Sequence, residues 1–124
     1  NPNLLIWHRK LWLIDHGAAL YLHHSWTDPV AVAGAKFAAI REHILLPVAG
    51  SITESDARLR GRLTPEIIAD IVAGVPDVWL EGQPPFATPA EHRAGYEAYL
   101  TRRLELSSEF VEEAERARRE RHAG

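Results

Sequence analysis

The sequence predicts an α+β domain that is mostly helical, with one β-hairpin followed by about five helices. Two apolar runs at the start, residues 4–8 and 11–15, flank a short basic turn. From Trp26 onward, apolar residues recur at helical spacing. Thr-Pro pairs at Thr64 and Thr88 are typical helix starts. A chain of 124 residues is long enough for one domain, so residues 1–124 are assigned to a single unit.

The hairpin is predicted to be buried. Its two faces are both mostly apolar, which is typical of strands covered by protein on both sides. Trp7, Leu11 and Leu13 are assigned to one face, and His8, Trp12 and Ile14 to the other. The turn lacks the Asn-Gly or Asp-Gly pair that favours a tight hairpin. Gly17 is expected to let the backbone turn away from the second strand.

Capping residues divide the rest of the chain into helices. Thr64 precedes Pro65 and Glu66 and predicts a helix that ends at Gly74. Thr88 opens a capping box and a long helix. Apolar spacing predicts helices over residues 37–46 and 51–63 as well. The buried stripe of the long helix is predicted to be Tyr96, Tyr99, Leu100 and Leu104, followed by Phe110 and Val111. Residues 76–80 form a short turn with Trp79 as an anchor.

Residues 112–124 are almost all Glu, Arg and small residues. Two ion pairs are predicted at i,i+4 spacing, Glu112–Arg116 and Glu115–Arg119. Such a run is typical of a solvated helix that frays toward its end, and a helix that docks on a partner is the alternative.

Composition narrows the function. The net charge of −3 argues against general nucleic-acid binding, which needs a basic excess. No apolar run approaches the roughly 18 residues of a membrane span, and no secretory signal is recognisable. The absence of cysteine favours a reducing, cytoplasmic setting. The chain has no methionine, so we expect that Asn1 is not a native start and that the chain is a C-terminal part of a longer protein.

Asp15 is the first candidate for chemistry. It follows four strongly hydrophobic residues, so an ionised carboxylate there has to be paired, hydrogen-bonded or metal-bound. Mg²⁺ takes one or two carboxylates together with nucleotide phosphates. A plain turn-capping aspartate is the alternative. Asn1 and Asn3 lie on the loop that leads into the first strand, and an Asn and a strand-end Asp together hold the metal ions in kinase-type phosphoryl transfer.

These motifs resemble those of a known family. The segment NPNLLIWHRKLWLIDHGAALYLHH, residues 1–24, resembles the HipA-like kinase domain proteins of the protein-kinase-like superfamily. The resemblance extends more loosely through residues 43–47 and 75–80. It implies a kinase-like C-terminal lobe in which Asn1, or alternatively Asn3, matches the catalytic-loop asparagine. Asp15 matches the metal-binding acid.

The resemblance also implies ATP and Mg²⁺ as cofactors, with a protein or small-molecule hydroxyl as phosphate acceptor. His16 and Gly17 would lie at the cofactor. The catalytic aspartate is expected before Asn1, together with the N-terminal lobe, so this chain alone is expected to be inactive. Two alternatives are a non-catalytic helical interaction module and a pseudokinase that binds nucleotide without transfer.

The histidines and tryptophans give weaker evidence of a functional site. His16, His23 and His24 lie near Asp15, but adjacent histidines point to opposite sides of an extended segment and do not favour zinc. His16 is expected to pack where other kinases have Phe. The tryptophans are predicted to be core residues.

Overall fold

The computed structural model describes residues 3–17, 19–20, 22 and 25–123. The described chain is mostly helical with one two-stranded antiparallel sheet and five α-helices, which confirms the predicted α+β class. The strands are β1 (Leu4–Trp7) and β2 (Lys10–Leu13). The helices are α1 (Pro29–Val32), α2 (Ile52–Arg60), α3 (Pro65–Ala73), α4 (Pro89–Glu105) and α5 (Ser107–Ala123). Short 3₁₀ helices cover Ala38–Glu42, Leu46–Val48 and Asp77–Trp79.

The two strands pair in a tight hairpin, with Leu4 opposite Leu13 and Trp7 opposite Lys10. Its two-residue turn consists of His8 and Arg9, whose φ angles are 48° and 61°. Positive φ at both turn residues matches the twist of the strands, as in a type I′ turn. The conformation costs about 1 kcal/mol per residue when neither is glycine, so this turn is formed without the residues that favour it.

The prediction that the hairpin is buried was wrong. Both strands are exposed apart from the half-buried Leu4, and even Ile6 and Leu13 are 76% and 69% exposed. A hairpin with two apolar faces needs a protein layer on each face. The described helices pack against one another instead, α1 and α3 on α4 and α2 on α5, and leave both faces of the hairpin open.

The predicted helix starts are confirmed. The hydroxyl of Thr64 accepts a hydrogen bond from the backbone N–H of Ile67 (3.4 Å), and that of Thr88 accepts one from Glu91 (3.2 Å). Gly74 follows α3 at its C-cap, as predicted. Each side chain satisfies an N–H that the first turn of its helix leaves without a partner.

The apolar run over residues 37–46 does not form an α-helix. It contains the 3₁₀ helix Ala38–Glu42, after which His43 adopts an extended conformation. A second 3₁₀ helix starts at Leu46, the residue before Pro47, where α conformation is disfavoured. The next helix, α2, is also shorter than predicted and begins after Ser51, whose hydroxyl accepts from Glu54 (3.1 Å).

The core of the helical body is an aromatic cluster around Trp26, which is 8% exposed. The rings of Phe86, His92 and Tyr96 meet the Trp26 ring edge-on at centroid distances of 4.7, 5.1 and 4.7 Å. Gly95 makes this packing possible, because a Cβ there would lie 2.8 Å from the ring of Phe86. Of the four tryptophans, only Trp26 is a core residue; Trp7, Trp12 and Trp79 are all at least half exposed. Predicting those three as core residues, and Trp79 as an anchor, was wrong.

The long C-terminal helix is broken at Leu106 into α4 and α5. Within the predicted stripe, Tyr99 and Val111 are buried, whereas its other members are half-buried. Ser107, at the start of α5, is buried and donates a hydrogen bond to Asp56 (2.9 Å). It also accepts one from Arg60 (2.7 Å), and both partners lie on α2. The break therefore coincides with a polar contact that joins α5 to α2.

The charged run is helical through Ala123, and part of it is buried. Glu115 is 6% exposed and accepts hydrogen bonds from the backbone N–H of Ile52 (2.8 Å), Arg118 (2.7 Å) and Arg119 (3.0 Å). The bonds from Arg118, above all, lower the pKa of Glu115 to about 2. The predicted Glu115–Arg119 pair is confirmed.

The other predicted pair, Glu112–Arg116, does not form. Arg116 instead contacts Glu113 at 2.8 Å and Glu120 at 3.6 Å. All three of these positions lie within a turn of Arg116, so sequence spacing alone did not distinguish among them.

Candidate functional site

Two of the predicted site residues meet at the open end of the hairpin. The side-chain amide of Asn3 donates a hydrogen bond to the backbone carbonyl of Asp15 (2.8 Å). The backbone carbonyl of Asn3 accepts from Ile14 N–H (3.0 Å), which extends the ladder by one pair. The hairpin register thus holds an asparagine and an aspartate next to each other although they are 12 positions apart in sequence.

Asp15 has a left-handed backbone, with φ of 54°. Aspartate is among the few non-glycine residues that tolerate this conformation, and the Asn3 amide helps to hold it. Its side chain is exposed, and its carboxylate forms no salt bridge with a described residue. The expectation that Asp15 is buried and must be paired was therefore wrong, because its carboxylate is exposed to water.

Gly17 does not have the role that the sequence suggested. Asp15, and not Gly17, is the residue with positive φ at the exit from β2. A Cβ on Gly17 would meet nothing within 4 Å. The turn thus depends on Asp15, and glycine at position 17 is not required for it.

His16 is exposed and therefore does not pack as a phenylalanine would. Its backbone carbonyl accepts a hydrogen bond from Ala19 N–H (2.8 Å), which closes a turn immediately after Asp15. His16 directly follows Asp15 in sequence and therefore lies at the same end of the hairpin.

Three residues named by the sequence argument, Asn1, His23 and His24, lie outside the described residues. Within the described ranges, no group of three or more His, Cys, Asp or Glu side chains is arranged to hold a metal ion. Asp15 with Asn3 is thus a one-carboxylate arrangement, of the kind that Mg²⁺ completes with phosphate oxygens and water.

The two ends of the hairpin carry opposite charges. Arg9 and Lys10 lie at the turn, whereas Asp15 lies at the open end. The side chains of Arg9 and Lys10 are exposed and form no salt bridge with any residue that the structure describes.

Sequence reasoning found no partner for His92, which is one of the most buried polar residues described, at 4% exposure. Its ring stacks between those of Phe86 and Tyr96, at centroid distances of 4.5 and 5.0 Å. Nδ1 lies 3.4 Å from the carbonyl of Leu80, and Nε2 is buried without a described hydrogen-bond partner. The i,i+4 spacing of His92 and Tyr96 on one helix face could have indicated that their rings stack.

The helical body also has an open cavity of about 510 Å³ between α1, α4 and α5. It is lined mainly by apolar side chains, including Val32, Phe37 and Tyr99. The two basic side chains that line the cavity have partners within the chain. Lys36 forms a salt bridge with Glu109 (3.5 Å), and Arg103 donates a hydrogen bond to the carbonyl of Ala33 (2.9 Å). Neither Asp15 nor Asn3 lines this cavity, so the candidate site lies elsewhere.

No protein family, curated protein or solved structure matches this chain. Among the described residues, no helix is both long enough and apolar enough to cross a membrane.

Proposed function

We propose that the chain is the metal-holding part of a kinase-like phosphotransferase, and that it binds Mg²⁺ and ATP at the open end of the hairpin. The observation that carries the proposal is the hydrogen bond from the Asn3 side chain to the Asp15 carbonyl. It supports the pairing of a loop asparagine with a strand-end aspartate that the motif implies.

The state of Asp15 favours a metal role. An exposed carboxylate without a described ion pair is accessible to a hydrated cation. Mg²⁺ dehydrates reluctantly and keeps several waters, so it suits one carboxylate at an open position better than a closed cage. Mg²⁺ bridging the β- and γ-phosphates neutralises the charge that develops in phosphoryl transfer.

The proposed roles follow from position. Asp15 is the metal ligand, and Asn3 holds the Asp15 backbone through its amide nitrogen. Asn1, or alternatively Asn3, is the second metal ligand, and His16 and Gly17 lie next to the nucleotide. The phosphate acceptor is a hydroxyl on a protein or a small molecule. An aspartate about five residues before the loop asparagine separates an active kinase from a pseudokinase that only binds nucleotide.

Nuclear magnetic resonance with Mn²⁺ and ATP tests the site, because a paramagnetic ion broadens nearby resonances even when it binds weakly. We expect the backbone amides of residues 14–17 to broaden first in the native chain. Asp15→Asn, which removes the charge and keeps a residue that tolerates positive φ, is expected to weaken this binding about tenfold or more.

Asp28→Asn is the matched control. Asp28 is also exposed, also has positive φ (57°), and caps α1 through a hydrogen bond from Ala31 N–H. Asparagine preserves that cap, so this variant loses the same charge without touching the site. Equal broadening in native protein and Asp15→Asn would contradict the metal role.

The exposed hairpin specifically favours the second candidate, a non-catalytic interaction module. In that case Asp15 is only a turn residue, and the apolar strands contact another protein chain. Loss of Mn²⁺ binding in Asp15→Asn separates the two candidates, since an interaction module does not need the metal.

A further inference from the structure

The hairpin as described is an incomplete sheet. Two strands alone are marginally stable in water, and an apolar sheet usually needs a third strand or a covering layer. Leu5, Trp7, Leu11 and Trp12 are 44 to 58% exposed, and Ile6 and Leu13 more so. These six side chains expose on the order of 600 Å² of mainly apolar area over both faces, of which pairing at one edge covers only the part next to that edge.

We propose that two copies of this chain associate by pairing their β2 strands edge to edge, antiparallel about a two-fold axis. The product is a four-stranded sheet with the order β1-β2-β2-β1. This inference goes beyond the proposed kinase function; it uses the same Asp15 carboxylate, so the dimer contact and a bound metal ion would compete for that residue.

The backbone of β2 limits the possible registers of such a pairing. The bond from Ile14 N–H to the Asn3 carbonyl makes Asn3 and Ile14 a hydrogen-bonded pair of the ladder. Bonded and non-bonded pairs alternate in an antiparallel ladder. Leu4–Leu13 and Ile6–Leu11 are therefore non-bonded pairs, and Leu11 and Leu13 direct their N–H and C=O groups to the open edge of β2.

A two-fold pairing can use all of these groups. Leu11 of one copy then pairs with Leu13 of the second, and Leu13 with Leu11. This makes four backbone hydrogen bonds, all between groups that no other strand in the described structure uses. The two Trp12 residues face each other across the axis as a non-bonded pair, where side chains approach most closely.

The same register makes the charges complementary. Counting outward from Trp12, Arg9 of one copy lies opposite Asp15 of the second, and the symmetry produces this pair twice. Neither side chain forms a salt bridge with a described residue of its own chain. Both residues lie just outside β2 with positive φ (61° and 54°), so they do not form a regular cross-strand pair, but the long Arg9 side chain brings the opposite charge to the same end of the paired strand as Asp15.

The edge of β1 does not offer this complementarity. Its outward backbone groups belong to Leu4 and Ile6, so the equivalent pairing puts Asn3 opposite Trp7. No charged residue lies on that strand. We therefore assign the association to β2.

Charge exchange between two variants tests the pairing by sedimentation in the absence of metal and nucleotide. Arg9→Asp places two acids opposite each other, and Asp15→Arg places two cations opposite each other. Each variant alone is expected to self-associate about tenfold more weakly than the native chain. An equimolar mixture restores both opposite-charge pairs, so native-like dimers are expected to return.

Three outcomes would overturn the proposal: a native chain that stays monomeric at about 100 μM, single variants that associate as the native chain does, or a mixture that fails to recover. The second outcome would indicate non-specific contact through the apolar faces. Sedimentation is measured without metal, and Mn²⁺ binding is measured separately on Asp15→Asn, so failure here is distinguishable from failure of the proposed kinase site.

Proline variants test which edge pairs. Leu11→Pro removes an outward N–H from β2, and Ile6→Pro removes one from the facing position on β1. Neither N–H belongs to the hairpin's own ladder, so both substitutions are of the kind that an edge tolerates. We expect Leu11→Pro to abolish dimers and Ile6→Pro to retain them; the reverse would overturn the assignment to β2.

Discussion

Trp12 in the hairpin lies within an apolar run and Trp26 in the helical body lies among polar residues, yet the structure exposes the first and buries the second. Trp26 is 8% exposed and touches three aromatic rings, whereas Trp12 is 50% exposed. Apolar neighbours in sequence therefore do not decide burial. In the body, aromatic side chains from separate segments form a packed core, whereas in the hairpin a continuous apolar run remains an exposed surface.

The largest expected effect separates these two tryptophans. Trp26→Ala removes the centre of the aromatic cluster, and we expect a loss of about 3–5 kcal/mol in the free energy of unfolding. Trp12→Ala, measured by urea denaturation at a protein concentration too low for association, is expected to change it by no more than about 0.5 kcal/mol. Similar losses for the two variants would show that the hairpin belongs to the same core as the helices.

A smaller effect concerns the polar part of the body. Glu115→Gln removes the carboxylate charge that accepts hydrogen bonds from Arg118, Arg119 and the Ile52 N–H. We expect the free energy of unfolding to fall by about 2–4 kcal/mol at neutral pH. The folded pKa of Glu115 lies at about 2, below its usual 4.5. A lowered carboxyl pKa stabilises the fold above the usual value, and this contribution is lost as the pH falls from about 4.5 toward 2.

Urea denaturation at pH 7, 4 and 3 measures this dependence. The stability difference between native protein and Glu115→Gln is expected to shrink steadily with acid. Glu112→Gln, an exposed acid one turn earlier on α5, is the control and is expected to show little difference at any of these pH values. A Glu115→Gln deficit independent of pH would exclude the charge as its cause.

The smallest expected effect is confined to the hairpin. His8→Asn combined with Arg9→Gly supplies the residues that a two-residue turn with positive φ prefers. We expect a gain of up to about 1 kcal/mol in closing the hairpin, which slows hydrogen exchange of its paired amides up to about fivefold. Amides of α4 are expected to be unaffected, and slower exchange there would mean that the two regions open together.

Residue spacing in the sequence predicted those contacts that join residues close together in the chain. The caps at Thr64 and Thr88 and the Glu115–Arg119 pair are contacts within one turn, so residue spacing was enough to find them. Asn3 and Asp15 are 12 positions apart, and their meeting followed instead from the pairing of two strands joined by a short turn.

Burial was not predictable in the same way. Whether Trp12 or Trp79 is covered depends on which other element packs against it, and residue spacing carries no information about that. The bond between Glu115 and Ile52 joins positions 63 apart. The exposed carboxylate of Asp15 is a third example, because the apolar residues before it indicated a buried strand that the helices leave uncovered.

The contact between α2 and α5 has a thermodynamic consequence. None of the residues of α2 is fully buried. Polar groups of α5 contact it: Glu115 accepts a hydrogen bond from Ile52 N–H, and Ser107 bonds to Asp56 and Arg60. Detaching this helix would expose mostly polar groups. Its release therefore carries a small heat-capacity change and a shallow dependence on denaturant concentration, in contrast to the unfolding of the aromatic cluster.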